Sequence, residues 1–455
     1  MTAARAGGDV ATAAAAAKGA ARTLGTLSTA QKDAALDAIA AALERHRAPI
    51  LAANSADVAA AQAEVTAGRL SPASFARLGV GETTLADMIA GVRAVRALDD
   101  PAGRIIETTT LDAGLELTRV SCPLGLLAVI FESRPDAVTQ ISALAIKSGN
   151  AVVLKGGREA VRTTRALVEA IRAGLAATPG VPVDAVVSVE GRESVDALLA
   201  LDGVVDLVIP RGSRDLVRYV QTHTRIPVLG HAEGVCHVYV DAAADPEMAV
   251  NIVLDAKVQY PAACNAAEAV LLHVDVAPHV LPHLLDRLSE AGVEIRACPR
   301  ARSLAAAHRH TVVAAVPEDW GREFGDRILA VRIVDSLDEA LAHIARYGSA
   351  HTEAIVTEDA AAAKRFLAEV DAAGVFHNAS TRFADGYRYG LGAEVGVGTG
   401  KVHARGPVGL EGLTTYKYLL RGHGHVVADY VGPHRRRFQH ESARRPLSAK
   451  GGEGR

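Results

Sequence analysis

Cys264 is the side chain best placed by its neighbours to do covalent chemistry. It stands in Tyr260-Pro-Ala-Ala-Cys-Asn265, behind a proline and two small residues and ahead of an apolar run that begins near Ala269. Small neighbours leave a sulfur accessible, and a thiolate attacks carbonyl carbon. Cys236, by contrast, opens the apolar run at His237 to Val240 and has the setting of a buried, inert thiol. Spacing alone keeps a structural role for Cys264 open beside the catalytic one. The run His231-Ala-Glu233-Gly-Val-Cys236-His237 resembles a metal cluster but fits no structural zinc spacing, so a hydrogen-bonded loop and no metal are expected.

Two turns could hold a dinucleotide. In Leu154-Lys155-Gly156-Gly157-Arg158-Glu159 the glycines let a ligand approach the backbone, the following helix offers free N–H groups, and Lys155 and Arg158 add positive charge. Ile209-Pro-Arg-Gly212-Ser213-Arg214 repeats the plan with a glycine, a hydroxyl and a helix start. Neither carries the G-x-G-x-x-G fingerprint, and each alone equals an ordinary tight turn. Two cationic turns in one sheet tip the balance towards phosphate binding. Gly396-Val-Gly-Thr-Gly400-Lys401 is no P-loop, because Val395 and Val402 replace the required glycine and hydroxyl. It reads as a mobile loop.

These residues need a frame. Ser28 and Gln31 form a capping box before Leu36, Ile39, Ala40 and Leu43, and Pro49 is expected to close that helix. Leu115 to Val120 alternates as a half-buried strand does. From Leu126 short apolar runs alternate with helical stretches. Strands are expected at 126–131, 151–154, 185–189, 204–209 and 237–240, with helices at 136–147, ended by Gly149, and at 158–175. A second series places strands near 269–273, 328–334, 354–356 and 375–377, then a Gly-rich loop region over 385–412. The pattern predicts an α/β fold with a doubly wound parallel sheet.

The chain's 455 residues exceed one comfortable core. A net charge of −3 argues against nucleic-acid binding. No apolar run approaches the roughly 18 residues of a membrane span. Four cysteines make no disulfide scaffold and suit a reducing cytosol, so the expected location is cytoplasmic. Residues 434–455 carry seven basic and two acidic side chains and read as a disordered, solvated tail.

Longer stretches carry a resemblance. Ser121-Cys-Pro-Leu-Gly-Leu-Leu-Ala-Val-Ile-Phe-Glu-Ser-Arg-Pro-Asp136, Lys147-Ser-Gly-Asn-Ala-Val-Val-Leu-Lys-Gly-Gly157, Pro210-Arg-Gly-Ser213, Gly230 to His237, Tyr260 to Asn265, Asn378 to Asp385 and His403 to Glu411 resemble the γ-glutamyl phosphate reductases, within the aldehyde dehydrogenase superfamily. The similarity runs from about Thr26 to Asp429. It implies a cofactor domain over 1–235 with an oligomerisation arm at 106–121, a catalytic domain over 236–412, and a return segment over 413–433 that joins the arm.

The resemblance also implies NADPH-dependent reduction of L-glutamyl 5-phosphate to glutamate 5-semialdehyde in proline synthesis, through a thioester on Cys264. The Cys264 backbone N–H is the implied first oxyanion donor, with Ser133, Arg134 and Asn265 as candidates for the second. Lys155, Gly156, Gly157, Arg158, Gly212 and Ser213 are the implied cofactor contacts, with Glu323 reaching the nicotinamide ribose. Arg134, Asn378, Ser380, Thr381 and Arg382 are the implied substrate contacts. Gly230 stands where hydrolytic relatives carry a water-activating glutamate, and Glu233 is three residues out of register. A hydrolytic semialdehyde dehydrogenase and a non-catalytic nucleotide-binding protein are the competing readings. A homo-oligomer is expected. Labile glutamyl phosphate makes channelling from a glutamate kinase attractive, though the sequence does not decide whether one docks.

Overall fold

A computed structural model describes residues 2–444. The chain folds into two compact units. One holds the residues up to 212, 220–228 and those from 409 onward; the other holds 213–219 and 229–408. The second unit therefore takes in a short piece at 213–219 and then runs from Leu229, not from 236, and the return to the first starts at Gly409, not at 413.

The first unit opens with five helices, Thr2–Leu24, Thr29–Arg45, Arg47–Thr66, Pro72–Ala76 and Glu82–Arg96. Ser28 and Gln31 form the expected capping box, and Leu36, Ile39, Ala40 and Leu43 are buried. Pro49 does not end that helix. The helix stops at His46, and Pro49 lies in the first turn of the next, where a missing N–H removes no intrahelical bond. Two strands follow, β1 (Ile105–Asp112) and β2 (Leu115–Pro123). Then come β3 (Leu126–Phe131), β4 (Ala151–Lys155), β5 (Val186–Ser188) and β6 (Leu207–Arg211). These four pair in parallel in the order β5-β4-β3-β6. Every residue of β3 is buried, as helices on both faces of a parallel sheet require. The helix Ala137–Ser148 between β3 and β4 ends as expected at Gly149, whose φ of 81° suits a residue without Cβ.

The second unit holds β7 (Cys236–Val240), β8 (Ala267–His273), β9 (Glu294–Ala297), β10 (Val313–Ala314), β11 (Ile328–Val334), β12 (Thr352–Val356) and β13 (Gly374–His377). They form one parallel sheet in the order β10-β9-β11-β8-β7-β12-β13. Strand periodicity divides its residues between two layers. Val238, Val240, Val270 and Leu272 face one apolar cluster, while Tyr239, Leu271 and Ile355 face another with Phe366. The expected loop over 385–412 contains a two-rung ladder, β14 (Val397–Gly398) against β15 (Gly406–Pro407), so the decoy glycine run is partly paired. The chain then returns to the first unit as β16 (Thr414–Arg421) and β17 (Glu441–Arg444), which complete an antiparallel arm in the order β16-β2-β1-β17. The arm thus spans 105–123, a little beyond the expected 106–121. In the segment expected to be disordered, residues 441–444 pair with β1, Arg436 meets Asp112 and the Gln439 N–H donates to Leu111 C=O, while residues from 445 lie outside the described ones.

His343, on the helix Leu337–Tyr347, is buried among the rings of His237, Trp320 and Tyr347. Burial pulls its imidazole down to about 3, and neighbouring His237, Arg332 and Arg346 add to the effect. A base whose folded pKa lies below its unfolded value of about 6.5 binds fewer protons when folded. Its contribution to stability is present above pH ~6.5 and lost as pH falls towards 3. Between about pH 6 and pH 4 the protein should lose up to about 1.4 kcal/mol per pH unit more than its His343→Gln variant. Urea unfolding across that range checks this, and parallel stability profiles would show that His343 protonates freely in the fold.

Candidate active site

Cys264 lies in a tight turn just ahead of β8, where Ala263 N–H donates to Tyr260 C=O at 3.1 Å and Ala266 N–H to Ala263 C=O at 2.9 Å. The thiol is half-buried and unpaired, whereas Cys236 on β7 is fully buried and its thiol is pushed up by burial. Beneath the turn, Lys257 at the end of the helix Pro246–Val258 meets Glu268 on β8 at 2.7 Å, and both are fully buried. Burial pushes the Glu268 carboxyl up, to about 7, and the Lys257 ammonium down. This ion pair ties together the two elements that flank the Cys264 turn.

The back of the turn rests on Gly234. A Cβ there would overlap the Cys264 carbonyl oxygen and come within 2.7 Å of its carbon. Glu323 fixes Gly234, accepting its N–H at 2.8 Å. Glu233 is held by Arg214 and Arg218 at 2.5 and 2.9 Å, so its carboxylate is bound in a cationic grip.

Arg382 is buried beside the turn. Its Nε donates to Gln259 Oε1 at 2.9 Å, and its guanidinium stands over the Tyr260 ring at 5.8 Å. Burial and the neighbouring Arg388 pull its pKa down, opposed by charge on Cys264, Asp385 and Asp255. Among the described residues no carboxylate pairs with it. A buried guanidinium without a counter-ion retains the capacity to pair with an anion. Ser380 and Thr381 flank it: the Ser380 hydroxyl accepts the Arg382 N–H at 3.3 Å, and Thr381 Oγ1 is buried without a partner. Asn378 plays a framework part, with φ at 52° and its amide clamped at both ends to the Thr357 backbone. Asn265 is buried and donates through Nδ2 to Ala384 C=O at 2.8 Å, leaving Oδ1 unpartnered, so the structure commits that amide to positioning the turn.

In the first unit, Ser133 has φ of 48° and directs both its N–H and its hydroxyl at Glu159 Oε1, at 2.6 and 2.9 Å. That hydroxyl is therefore bound by a carboxylate, not poised to donate. Arg134 is half-buried with no ion pair among the described residues. Lys155 is buried, its ammonium lowered by burial and donating to Gly156 C=O at 2.7 Å. A Cβ on Gly156 would press on Thr164 Oγ1 at 3.0 Å, and one on Gly157 would overlap the Glu159 carboxylate. Thr164 Oγ1 is buried and unpartnered. Arg158 is largely exposed and meets Glu64 at 3.3 Å. In the other turn, Ser213 Oγ accepts the Leu216 N–H at 3.4 Å at the start of the helix Arg214–Thr222, and Gly212 precedes it. Sequence reasoning passed over His351, Gln259 and Thr164 and gave Glu159 no role, because their parts arise from contacts that local patterns do not show.

The two parallel sheets, each lined with helices, and a half-buried thiol beside a buried cation define an oxidoreductase, and the chain belongs to the aldehyde dehydrogenase family, whose model matches residues 2–301. Within it, the chain is a member of the gamma-glutamyl phosphate reductases. It is 58% identical over 424 residues to the gamma-glutamyl phosphate reductase of Synechococcus sp. (strain JA-3-3Ab), covering 93% of this chain and 92% of the relative. The Haloquadratum walsbyi protein of the same name is 52% identical, with 92% of each chain covered. The crystal structure of gamma-glutamyl phosphate reductase from Thermotoga maritima superposes with a TM-score of 0.87 at 38% identity, covering 92% of this chain and 99% of that one. An acetylating aldehyde dehydrogenase from Geobacillus thermoglucosidasius, 16% identical with a TM-score of 0.65, shares the fold over 94% of this chain and 99% of its own.

Dehydrogenases of this family use a nicotinamide cofactor. At the turn Lys155–Gly157 the space beside the two glycines is taken by this chain's own Thr164 and Glu159 side chains, and the fit to such a group rests on the buried, unpartnered Thr164 Oγ1 next to Gly156. No helix among the described residues is long and apolar enough to cross a membrane.

Gly234→Ala should move the Cys264 turn by about an ångström. Activity is expected to fall about a hundredfold while the protein stays folded, because misplacement on that scale costs that much in a preorganised site. Steady-state rates alongside thermal melting check it, and near-normal turnover would show that Gly234 does not set the position of Cys264.

Proposed function

We propose that this chain reduces L-glutamyl 5-phosphate to L-glutamate 5-semialdehyde with NADPH, releasing phosphate, as a step of proline synthesis. The observation that carries the reading is 58% identity over 93% of the chain with a protein named for that activity, together with a half-buried thiol beside an unpaired buried guanidinium.

The Cys264 thiolate attacks the acyl phosphate carbonyl, a C–S bond forms, and the carbon–oxygen bond to phosphate breaks to leave a thioester. The Cys264 backbone N–H steadies the oxyanion. With Ser133 held by Glu159 and Asn265 by Ala384, Arg134 is the candidate left for the second donor. Arg382, with Ser380 and Thr381 beside it, is assigned to an anionic end of the substrate, its phosphate or its α-carboxylate. The nicotinamide supplies the hydride that brings the thioester to the aldehyde level. Cys264 then leaves as the C–S bond breaks, and the thiolate is restored. Lys155, Gly156, Gly157, Arg158, Gly212 and Ser213 are assigned to the cofactor. Glu323 holds Gly234 through one oxygen, and its reach to the nicotinamide ribose belongs to the other.

Cytoplasmic action suits the four free cysteines. A homo-oligomer joined through the arm is part of this reading, and the lability of glutamyl phosphate favours its supply by a glutamate kinase close at hand.

The hydrolytic alternative needs a general base, and Glu233 is bound by two arginines instead. A thioester without that base should wait for phosphate. In the oxidative direction, NADP reduction by the semialdehyde should require inorganic phosphate or arsenate, and Cys264→Ser should abolish it while NADPH still binds. Steady turnover to glutamate without phosphate, or a Cys264→Ser rate within about tenfold of the native one, overturns this reading.

Preference for NADPH rests on Arg158, exposed at the cofactor turn, where a guanidinium favours a 2′-phosphate over a bare hydroxyl. Arg158→Glu should shift the NADPH/NADH ratio of kcat/KM by more than about tenfold, roughly 1.4 kcal/mol. An unchanged ratio removes Arg158 from cofactor selection.

A further inference from the structure

The fold brings two histidines to the catalytic thiol. His231, in the loop before β7, and His351, just ahead of β12, each place a ring nitrogen so that these two nitrogens and the Cys264 sulfur lie within 4.8 Å of one another. The rings meet edge-on, with centroids 4.7 Å apart. Their hydrogen bonds set their chemistry. His231 Nδ1 faces the Val397 carbonyl at 2.9 Å, which only a protonated nitrogen can do, so the neutral ring keeps its lone pair on Nε2. His351 is fully buried; its Nδ1 meets Thr352 Oγ1 at 2.9 Å and lies 3.8 Å from the Cys236 sulfur, and its Nε2 is left without a partner.

We infer that Cys264, His231 and His351 form a binding site for a soft divalent cation, zinc above all, and that its occupancy reversibly closes the nucleophile. One thiolate and two imidazoles are the donor set of zinc and cobalt, and they do not suit magnesium or calcium. Zinc binds sulfur at about 2.3 Å and imidazole nitrogen at about 2.0–2.1 Å in tetrahedral geometry, so its ligand atoms lie roughly 3.3–3.7 Å apart. Closing the present cluster takes side-chain movement of about an ångström. The carbonyl of Val397 holds the first ring as backbone carbonyls hold metal-bound histidines. Cys264 is half-buried, which leaves the fourth position to water. On binding, the thiol S–H bond is replaced by a sulfur–zinc bond, the proton passes to solvent, and both imidazoles bind neutral. The sequence run around His231 shows none of this, because two of the three ligands come from elsewhere in the chain.

Loss of activity on metal binding rests on Cys264 being the nucleophile; the binding does not. The full-length protein, freed of metal with a chelator, is titrated with Co²⁺ and, separately, with Zn²⁺. Co²⁺ should produce a thiolate-to-cobalt charge-transfer band and the visible bands of four-coordinate cobalt. Cys264→Ser should remove the charge-transfer band, and His231→Asn and His351→Gln should each weaken Co²⁺ binding at least tenfold. Zn²⁺ should block iodoacetamide labelling of Cys264 and stop turnover, and EDTA should restore both. If His351→Gln does not fold, His231→Asn, at a half-buried position, decides alone. Equal Zn²⁺ protection in the native protein and the histidine variants, or no four-coordinate cobalt spectrum, overturns the proposal. A full cobalt spectrum with undiminished turnover sustains the site and instead removes Cys264 from the proposed mechanism.

Discussion

The turn that carries Cys264 depends on a buried ion pair. Lys257 and Glu268 sit on either side of residues 258–267, one at the end of a helix and the other on a central strand, and neither reaches water. Charges taken out of water at such a cost are held by each other and by few further bonds, here the Gly325 N–H on Glu268 at 3.3 Å. Loss of one partner would leave the other charge uncompensated where the helix and strand converge. Gly234 completes the clamp from behind, with Glu323 fixing its backbone. The thiol owes its position to these groups, none of which need touch substrate.

A thread of polar commitments runs from there to Arg382. Asn265 follows Cys264 and is fixed to Ala384, one residue beyond the short helical turn Thr381–Phe383 that carries Arg382. Arg382 in turn reaches back to Gln259 and Tyr260, the residues that open the catalytic loop. The Cys264 thiol and the Arg382 guanidinium are therefore positioned by one another's segments, although more than a hundred residues separate them in the chain. An adjustment in either propagates to the other through hydrogen bonds of fixed geometry.

How far the sequence discloses this varies with the range of the interaction. Local signals were legible. The capping box at Ser28, the glycine stop at 149 and the fully apolar β3 all follow from rules that span a few residues. Pro49 misleads because a proline that breaks a helix interior is equally at home in a first turn, and only the end at His46 decides between them. β9 escapes because Glu294-Ile-Arg-Ala is too short and too charged to stand out before its pairing with β11 is known. In the site, Cys264 stood out by type and setting, and Arg382 only through the family resemblance. The commitment of Ser133 to Glu159, of Asn378 to Thr357, and the approach of His351 to Cys264 were not, since each joins residues between 21 and 87 positions apart.

The arm carries a consequence for how the protein is made. Strands β1 and β2 form early in the chain, yet their outer partners are residues 414–421 and 441–444, about three hundred residues later. A two-stranded hairpin is marginal by itself in water. At roughly 5–20 residues per second, the ribosome leaves both edges of that hairpin open for about 15–60 s before β16 and β17 emerge. Synthesis rate and chaperone cover during that interval therefore bear on yield in a way that the stability of the finished fold does not reveal.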